Sequence, residues 1–213
     1  MRSLGRGGRR TGEDEAVEHP AGAIRIEAWA GPQLTARVAE AMHIYAVAMN
    51  YSPHAGAQRG ITTRWHSTHL GFACRAAIEA DGTLVGFGYG YTTRPGQWWH
   101  DLVRRAISPV AADWLEDAFE LSELHVLPRY QGAGIGRLLL TDLGAQIAES
   151  HRCVLLSTPD RDTRAFRLYH NLGFVDLARN YLFPGDARPF AVLGARLPLS
   201  PPLPGAPRPA NAG

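Results

Sequence analysis

The amino-acid sequence predicts a single α/β domain, and three observations lead to this prediction. Its 213 residues are enough for one domain of ordinary size with a complete hydrophobic core. Strand-like apolar runs and amphipathic, helix-like segments alternate between residues 24 and 197. Near the middle of the chain, an apolar run over residues 119–127 leads through a glycine-rich loop into a helical pattern. We therefore predict one domain over residues 23–197.

The two ends of the sequence differ in composition from this domain. Residues 1–22 hold glycine, arginine and acidic residues with almost no apolar anchors, and residues 198–213 are rich in proline. Segments of this composition cannot bury enough apolar surface to offset the entropy of ordering. Both ends are predicted to be disordered tails.

The periodicity of the apolar residues predicts the individual elements. Asp81-Gly82 is a hairpin turn signal between two of the strands. The helical segment at 56–69 is more polar than the others. In chain order, the predicted elements are a strand at 24–29, helices at 31–49 and 56–69, strands at 72–80, 84–92 and 119–127, a helix at 135–147, a strand at 153–157, a helix at 162–172, and strands at 175–183 and 190–197.

The connection over residues 95–118 is long for a compact domain, and part of it is predicted to be helical. It contains Trp98, Trp99 and Trp114. Two interpretations remain open. The segment is either a lid whose tryptophans pack on the core, or a wall of a binding site, since long loops inside compact domains are often functional.

The glycine-rich loop has the sequence Gln131-Gly132-Ala133-Gly134-Ile135-Gly136. The first N–H groups of a helix lack partners within the helix, and glycines let an anion approach them closely. A P-loop would require Lys-Ser or Lys-Thr after the last glycine, where Arg137-Leu138 stand, and the GxGxxG spacing of a dinucleotide fingerprint is absent. The alternative to an anion site is an ordinary strand-to-helix turn.

Two motifs resemble those of the GCN5-related N-acetyltransferase (GNAT) superfamily. Gln131-x-x-Gly134-x-Gly136 follows a strand and is similar to the motif whose amides hold the pyrophosphate of acetyl-CoA in that family. Ala165-x-x-x-Tyr169-x-x-x-Gly173-Phe174 resembles a second family signature, in the right order. The resemblance implies a GNAT-like fold, with a mixed, mostly antiparallel twisted sheet flanked by helices on both faces, and acetyl-CoA as co-substrate.

The resemblance also implies where acetyl-CoA lies. A bulge near residues 124–126 would direct a backbone N–H at the thioester carbonyl, and the cofactor chain would lie between this strand and residues 155–157. Asp162 stands where many members of the family carry asparagine. The implied cofactor-binding residues are Leu124, His125, Val126, Gln131, Gly132, Ala133, Gly134, Ile135, Gly136, Arg137, Ser157, Asp162 and Ala165.

Acetyl transfer to an amine also requires a base and an acid. Glu120 falls where some family members place a catalytic glutamate, and Glu123 and His125 are alternatives. In a regular strand, Glu120 and Glu123 face opposite sides, because they are three residues apart, but Glu123 is closer to the expected bulge, which could turn it. Tyr169 is the predicted acid for the leaving thiolate, since it shares a helix face with the small Ala165. It could instead be a tyrosine that only packs.

Several classes of function are disfavoured. The net charge of +2 gives no electrostatic reason to expect nucleic acid, and no apolar run reaches the roughly 18 residues of a membrane span. Charge without a following apolar segment at the N-terminus predicts no secretory signal. Cys74 and Cys153 lie in apolar runs, which favours buried free thiols and a cytoplasmic location. The nine histidines lack HxH and HExxH spacing, so no metal is expected.

The resemblance implies that the chain transfers the acetyl group of acetyl-CoA to a primary amine, by direct attack in a ternary complex. The expected acceptor is a small-molecule or peptide amine, and a homodimer is an alternative to a monomer. The alternative function is a non-catalytic acyl-CoA-binding sensor or partner module, and a third possibility is a scaffold with a degenerate motif. Family position places five residues near the acceptor, namely Tyr45, Tyr51, His66, Trp98 and Trp99.

Overall fold

A computed structural model describes residues 17–19, 22–107 and 109–200 of the chain. The strands are β1 (Val17–His19), β2 (Gly22–Trp29), β3 (Ala73–Glu79), β4 (Leu84–Thr92), β5 (Ala118–Val126), β6 (Cys153–Pro159), β7 (Val175–Leu182) and β8 (Pro189–Arg196). The α-helices are α1 (Gly31–Ala36), α2 (Val38–Met49), α3 (Pro53–His66), α4 (Trp98–Ala106), α5 (Ile135–Ile147) and α6 (Arg164–His170). Short 3-10 helices span Pro109–Leu115 and Pro128–Tyr130.

All eight strands form one sheet, in the spatial order β1-β2-β3-β4-β5-β6-β8-β7. Neighbouring strands are antiparallel except β5 and β6, which are parallel. The parallel ladder is short and ends at the pair Glu120 and Leu155. Farther along, β5 stays paired with β4 as far as Val126, and β6 stays paired with β8 as far as Pro159. The two strands therefore separate and leave a gap in the middle of the sheet.

Helices cover both faces of the sheet. Successive residues of a strand point to opposite faces, so one strand contributes side chains to the core on each side. Cys74, Ala76 and Ile78 of β3 pack in one apolar cluster with residues of α1 and α2. Ala77 belongs to another cluster, with Leu139 of α5. The predicted mixed sheet with helices on both faces is thus confirmed.

The structure differs from the sequence prediction near the N-terminus. The predicted helix at 31–49 is two helices, because Arg37 has φ −108° and ψ 19° and so leaves helical geometry. Val17–His19 forms a strand on β2, inside the segment predicted to be a tail. At the other end, Leu199 of the second predicted tail packs against Gly144 of α5. The remaining tail residues, 1–16, 20–21 and 201–213, lie outside the described part of the chain.

The long connection between β4 and β5 packs on the core and also lines a cavity. Trp99 of α4 is buried with Leu102 and Val103 in an apolar cluster under β6 and β8. The neighbouring Trp98 is 60% exposed and lines the cavity described below. Both cysteines are buried and free, as predicted. In the described part of the chain, no helix has the length and apolar character that a membrane span requires.

Candidate active site

A cavity of about 850 Å³ opens where β5 and β6 separate. Its walls come from these two strands, the glycine-rich loop, and the helices α5 and α6. Further walls come from α2, α3, α4 and the segment that leads into β8. The lining combines a helix N-terminus, two buried carboxylates and several aromatic rings.

The glycine-rich loop forms the start of α5, as the sequence predicts. Gly132 and Gly134 have φ values of 91° and 85°, in the left-handed region that glycine adopts without strain. The Gln131 side chain donates from Nε2 to the carbonyl oxygen of Val126 over 3.0 Å, which ties the loop to the end of β5. No atom of the described residues outside the adjoining chain lies within 4 Å of the position that a Cβ on Gly134 would take. The N-terminus of α5 therefore borders open space that fits an anionic group.

Two arginines add positive charge beside this loop. Arg137 is in the first turn of α5 and lines the cavity. Arg164 of α6 lies close to the loop, since a Cβ on Gly132 would be 3.9 Å from its Nη1 atom. Neither guanidinium forms an ion pair with any residue that the structure describes. Both are thus available to phosphate oxygens.

The gap between the strands forms a slot that leads from the loop into the sheet. Leu124, His125 and Val126 line it from β5, and Ser157 lines it from β6. The Ser157 hydroxyl accepts a hydrogen bond of 3.1 Å from Trp99 Nε1. Because β5 has no ladder with β6 beyond Glu120, its N–H groups on this side face the slot rather than a strand.

A bulge in β5 brings two carboxylates to the cavity. Tyr89 of β4 pairs with Glu123, but the next residue, Gly90, pairs with Leu121, so Ser122 is an extra residue. The extra residue reverses the alternation, and both Glu120 and Glu123 line the cavity. A regular strand would place them on opposite sides, and the bulge beside Glu123 turns them to the same side. The predicted position of the bulge, near residues 124–126, is wrong, since the register shift lies closer to the start of the strand.

Glu120 is a buried acid without a full set of partners. Its side chain is 4% exposed, and Oε2 has no hydrogen-bond partner among the described residues. Burial raises the pKa of Glu120 to about 8, while the neighbouring Tyr91 hydroxyl and the Arg59 charge offset part of this shift. The carboxyl therefore exchanges its proton near neutral pH, as a general base must.

Glu123 has the opposite electrostatic character. It forms an ion pair with Arg59 of α3, and its Oε2 lies 2.5 Å from His125 Nε2. Burial acts to raise the pKa of Glu123, but the Arg59 guanidinium and the His125 ring outweigh it and hold the pKa at about 2. Glu123 is thus ionised at neutral pH and a poor proton acceptor.

Sequence reasoning did not identify the helix face that supports these carboxylates. Arg59, Thr63 and His66 lie at helical spacing on α3 and point at polar side chains of β4 and β5. The Thr63 hydroxyl is 3.1 Å from the Tyr89 hydroxyl, and His66 Nδ1 is 3.3 Å from Ser122 Oγ. Because of this polar stripe, the sequence of the segment predicts a helix only weakly. Its i, i+4, i+7 spacing was the available signal of a buried polar face.

Tyr169 lies across the slot on α6 and lines the cavity together with Ala165. Its ring packs on Phe174, with ring centroids 5.4 Å apart. Burial raises the pKa of Tyr169 above its usual range, and the Glu123 charge adds to this effect, so the phenol is protonated at neutral pH. In the described part of the chain its hydroxyl has no hydrogen-bond partner.

Four of the residues expected at the site do not line the cavity. Ile135 is fully buried in the core with α5, and Ala133 is absent from the lining. The Asp162 side chain is 76% exposed and pairs with Arg167 over 2.7 Å. His66 lies behind the lining, and burial lowers its pKa to about 3. Every other residue predicted to contact the cofactor or the acceptor lines the cavity.

The sequence and the fold match known proteins. The model of the Acetyltransferase (GNAT) family matches residues 38–174. A GCN5-like protein acetyltransferase of Mycobacterium tuberculosis is 38% identical over 193 residues, which cover 76% of this chain and 93% of that protein.

Solved structures match over most of the chain. Salmonella typhimurium yncA, solved with its cofactor acetyl-CoA, has a TM-score of 0.57 at 17% identity, covering 87% of this chain and 98% of that one. The ribosomal-protein-S18-alanine N-acetyltransferase of Escherichia coli has a TM-score of 0.56 at 17% identity, covering 84% and 97%. At these identities the structures share the fold.

Proposed function

The chain belongs to the Acetyltransferase (GNAT) family, and from this premise we propose that it transfers the acetyl group of acetyl-CoA to a primary amine. The amine attacks directly in a ternary complex with the donor. One observation carries the proposal. The buried Oε2 of Glu120 lies where β5 and β6 separate and has no hydrogen-bond partner among the described residues, and burial raises the pKa of this carboxyl to about 8.

The chain provides a fitting site for the donor. The N-terminus of α5, with Arg137 and Arg164 beside it, suits the pyrophosphate, and the slot between β5 and β6 suits the pantetheine chain. Backbone N–H groups of β5 that face the slot can donate to the thioester oxygen as it gains negative charge. The glycine-rich loop therefore acts as an anion site rather than as a simple turn.

Proton transfer is divided between two side chains. Glu120 removes a proton from the acceptor amine, because its pKa of about 8 matches this task at neutral pH. Glu123 remains ionised beside Arg59 and attracts the positively charged amine. Tyr169 donates its phenol proton to the departing thiolate, since its hydroxyl is protonated and neither accepts nor donates a hydrogen bond within the described residues.

The first test is release of free CoA from acetyl-CoA in the presence of a panel of amines, followed by mass analysis of the acetylated product. The panel includes a lysine-bearing peptide, because the M. tuberculosis relative is described as a protein acetyltransferase. A non-catalytic sensor would bind acetyl-CoA in a calorimeter but release no CoA above the rate without enzyme.

Tyr169→Phe is expected to lower kcat by about 10- to 100-fold, because it removes the proton donor but keeps the packed ring. Acetyl-CoA affinity should change little, as measured by titration calorimetry. A wild-type turnover rate would mean that water protonates the thiolate. Loss of binding would instead show that Tyr169 has only a packing role.

Gly134→Glu is expected to weaken acetyl-CoA binding at least roughly tenfold, or about 1.4 kcal/mol, through charge repulsion at the helix N-terminus. Gly134→Ala is the matched control, because it carries the same strain at φ 85° without the carboxylate. Calorimetry should rank the alanine variant between wild type and the glutamate variant. Unchanged affinity in a folded Gly134→Glu protein would exclude the loop from the donor site.

A further inference from the structure

A buried polar cluster lies behind the cavity, where α3 packs on β4 and β5. Glu120 and Tyr91 are register partners in the ladder of these two strands, and their side chains share a hydrogen bond. The Tyr91 hydroxyl lies 3.4 Å from Nε2 of His66, and Nδ1 of the same ring lies 3.3 Å from Ser122 Oγ. Ser122 is the extra residue of the β5 bulge. The cluster thus connects the bulge to the proposed base.

His66 is neutral in this cluster, so its ring carries a single N–H. The side chain is 6% exposed, and burial, with the charges of Arg59 and His69, lowers its pKa to about 3, although Glu123 acts in the opposite direction. A neutral imidazole donates from one nitrogen and accepts at the other. The partners of the ring therefore decide which nitrogen carries the proton.

Arg59 sets the direction of the hydrogen bonds at one end of the cluster. A guanidinium has donors and no acceptor, and Nη2 of Arg59 donates to Ser122 Oγ over 3.5 Å. The Ser122 hydroxyl then has its own proton to donate to Nδ1 of His66. In this arrangement His66 carries its proton on Nε2 and donates to the Tyr91 oxygen. The Tyr91 proton is left for Glu120.

A second hydroxyl near Nδ1 of His66, that of Tyr89 at 3.2 Å, has an acceptor elsewhere. Thr63 donates to the carbonyl oxygen of Arg59 over 3.0 Å, so its own oxygen, 3.1 Å from the Tyr89 hydroxyl, accepts the Tyr89 proton. Each hydroxyl and ring proton of the cluster then has an acceptor. We call the path through the other side chains the directed chain, and its members in order are Arg59, Ser122, His66, Tyr91 and Glu120.

We propose that the directed chain makes Tyr91 and His66 positioning residues for Glu120, with the Tyr91 proton held toward the carboxylate. This hydrogen bond stabilises the ionised carboxyl that must accept a proton from the amine. Oε2 of Glu120 has no partner among the described residues and is left for the amine. Tyr91 is absent from the cavity lining, so it acts through Glu120. The inference rests on the proposed role of Glu120 as the base.

The other groups around Glu120 act in definite directions. Burial is the largest influence and raises its pKa to about 8, and the Glu123 charge also raises it. The Tyr91 hydroxyl and the Arg59 charge lower it, so the directed chain offsets part of the effect of burial. Burial raises the pKa of each surrounding phenol, and the phenols that stay protonated at neutral pH are Tyr89 of β4 and Tyr169 of α6.

Tyr91→Phe keeps the ring and removes the last donor of the directed chain. We expect the pKa of Glu120 to rise by about one pH unit, because its ionised form loses a charge-assisted hydrogen bond. The midpoint of the pH–rate profile in the CoA-release assay should move up equally. At pH 7 kcat/KM should fall about tenfold, and by about pH 10 the two proteins should have similar rates. A loss that is the same at every pH, with an unmoved midpoint, would overturn the proposal.

Tyr89→Phe is the matched control, because it removes a buried hydroxyl from the same face of the same strand. The Tyr89 proton goes to Thr63 and not into the directed chain, so the midpoint should stay where it is in the wild type. A rise equal to that of Tyr91→Phe would refute the directed chain, since any lost hydroxyl behind the cavity would then have the same effect.

Nuclear magnetic resonance tests the direction of the chain without relying on turnover. Long-range ¹H–¹⁵N spectra distinguish a protonated ring nitrogen from an unprotonated one, and His66→Gln identifies the His66 signals by their loss. At about pH 9, where most of Glu120 is ionised, we expect a protonated Nε2 and an unprotonated Nδ1 in the wild type. The opposite tautomer would refute the proposed direction.

A direct measurement of the Glu120 pKa separates this inference from the proposed acetyl transfer. ¹³C spectra of the glutamate carboxyls over a pH series provide it, with Glu120→Gln as the reference that identifies the signal. A higher pKa in Tyr91→Phe, without CoA release from any amine, would support the directed chain and refute the acetyl transfer. CoA release with an unchanged pKa would refute the directed chain and leave the acetyl transfer intact.

Discussion

Glu120→Gln is expected to lower kcat/KM by roughly 10² or more at neutral pH, because the amide cannot accept the proton of the amine. The side chain keeps its size, so the cavity should keep its shape. The wild-type rate should rise with pH and level off above about 8, as Glu120 ionises. The loss in the variant should shrink at alkaline pH, where more of the amine is already neutral. Initial rates from pH 6 to 10 with an amine acceptor measure both effects.

Stability provides an independent check on the buried acid. The pKa of Glu120 is raised from about 4.5 to about 8, so its contribution to folding becomes less favourable as pH rises through this range. The neutral glutamine has no such dependence. Chemical denaturation should therefore show the variant gaining stability relative to wild type between these pH values. A small loss of rate that is the same at every pH, with no stability difference, would make Glu120 a structural residue and favour Glu123 as base.

Arg59→Met is expected to destabilise the protein by about 3–5 kcal/mol at neutral pH, because it leaves the buried charge of Glu123 without its main partner. In the wild type the pKa of Glu123 is depressed to about 2, so its stabilising contribution is lost as pH falls from about 4.5. In the variant, Glu123 lacks this stabilising contribution. The difference in free energy of unfolding between wild type and variant should therefore shrink at low pH, where Glu123 becomes protonated. Denaturant unfolding at pH 7 and pH 4 measures this difference.

Two further variants separate the ion pair from other effects of the substitution. Arg64→Met changes an exposed arginine of the same helix and should alter stability by no more than about 0.5 kcal/mol. The double variant Arg59→Met with Glu123→Gln removes both charges and should recover much of the loss. Failure of the double variant to recover stability would show that Arg59 acts through packing instead.

The family motifs were informative about the glycine-rich loop and about α6. Gln131, Gly134 and Tyr169 occupy the positions that the motifs implied, because the loop and both helices depend on contacts within a few residues. Asp162 and Ala133 were also expected at the site but do not line the cavity, because a motif indicates a segment and not the direction of each side chain. The roles of all these residues in catalysis and binding remain predictions until the variants are measured.

Taken alone, the sequence determined the α/β class, the principal strands and helices, and the glycine-rich loop, because these follow from apolar periodicity and turn chemistry over short distances. Only the tertiary structure decided how the carboxylates differ. One extra residue at Ser122 turns Glu120 and Glu123 to the same cavity, although the alternation of a regular strand would separate them. Arg59 then meets Glu123 from a helix 64 residues earlier in the chain and keeps it ionised, while burial keeps Glu120 protonated up to about pH 8. No local pattern encodes that difference, because it depends on which charges the folded chain brings together.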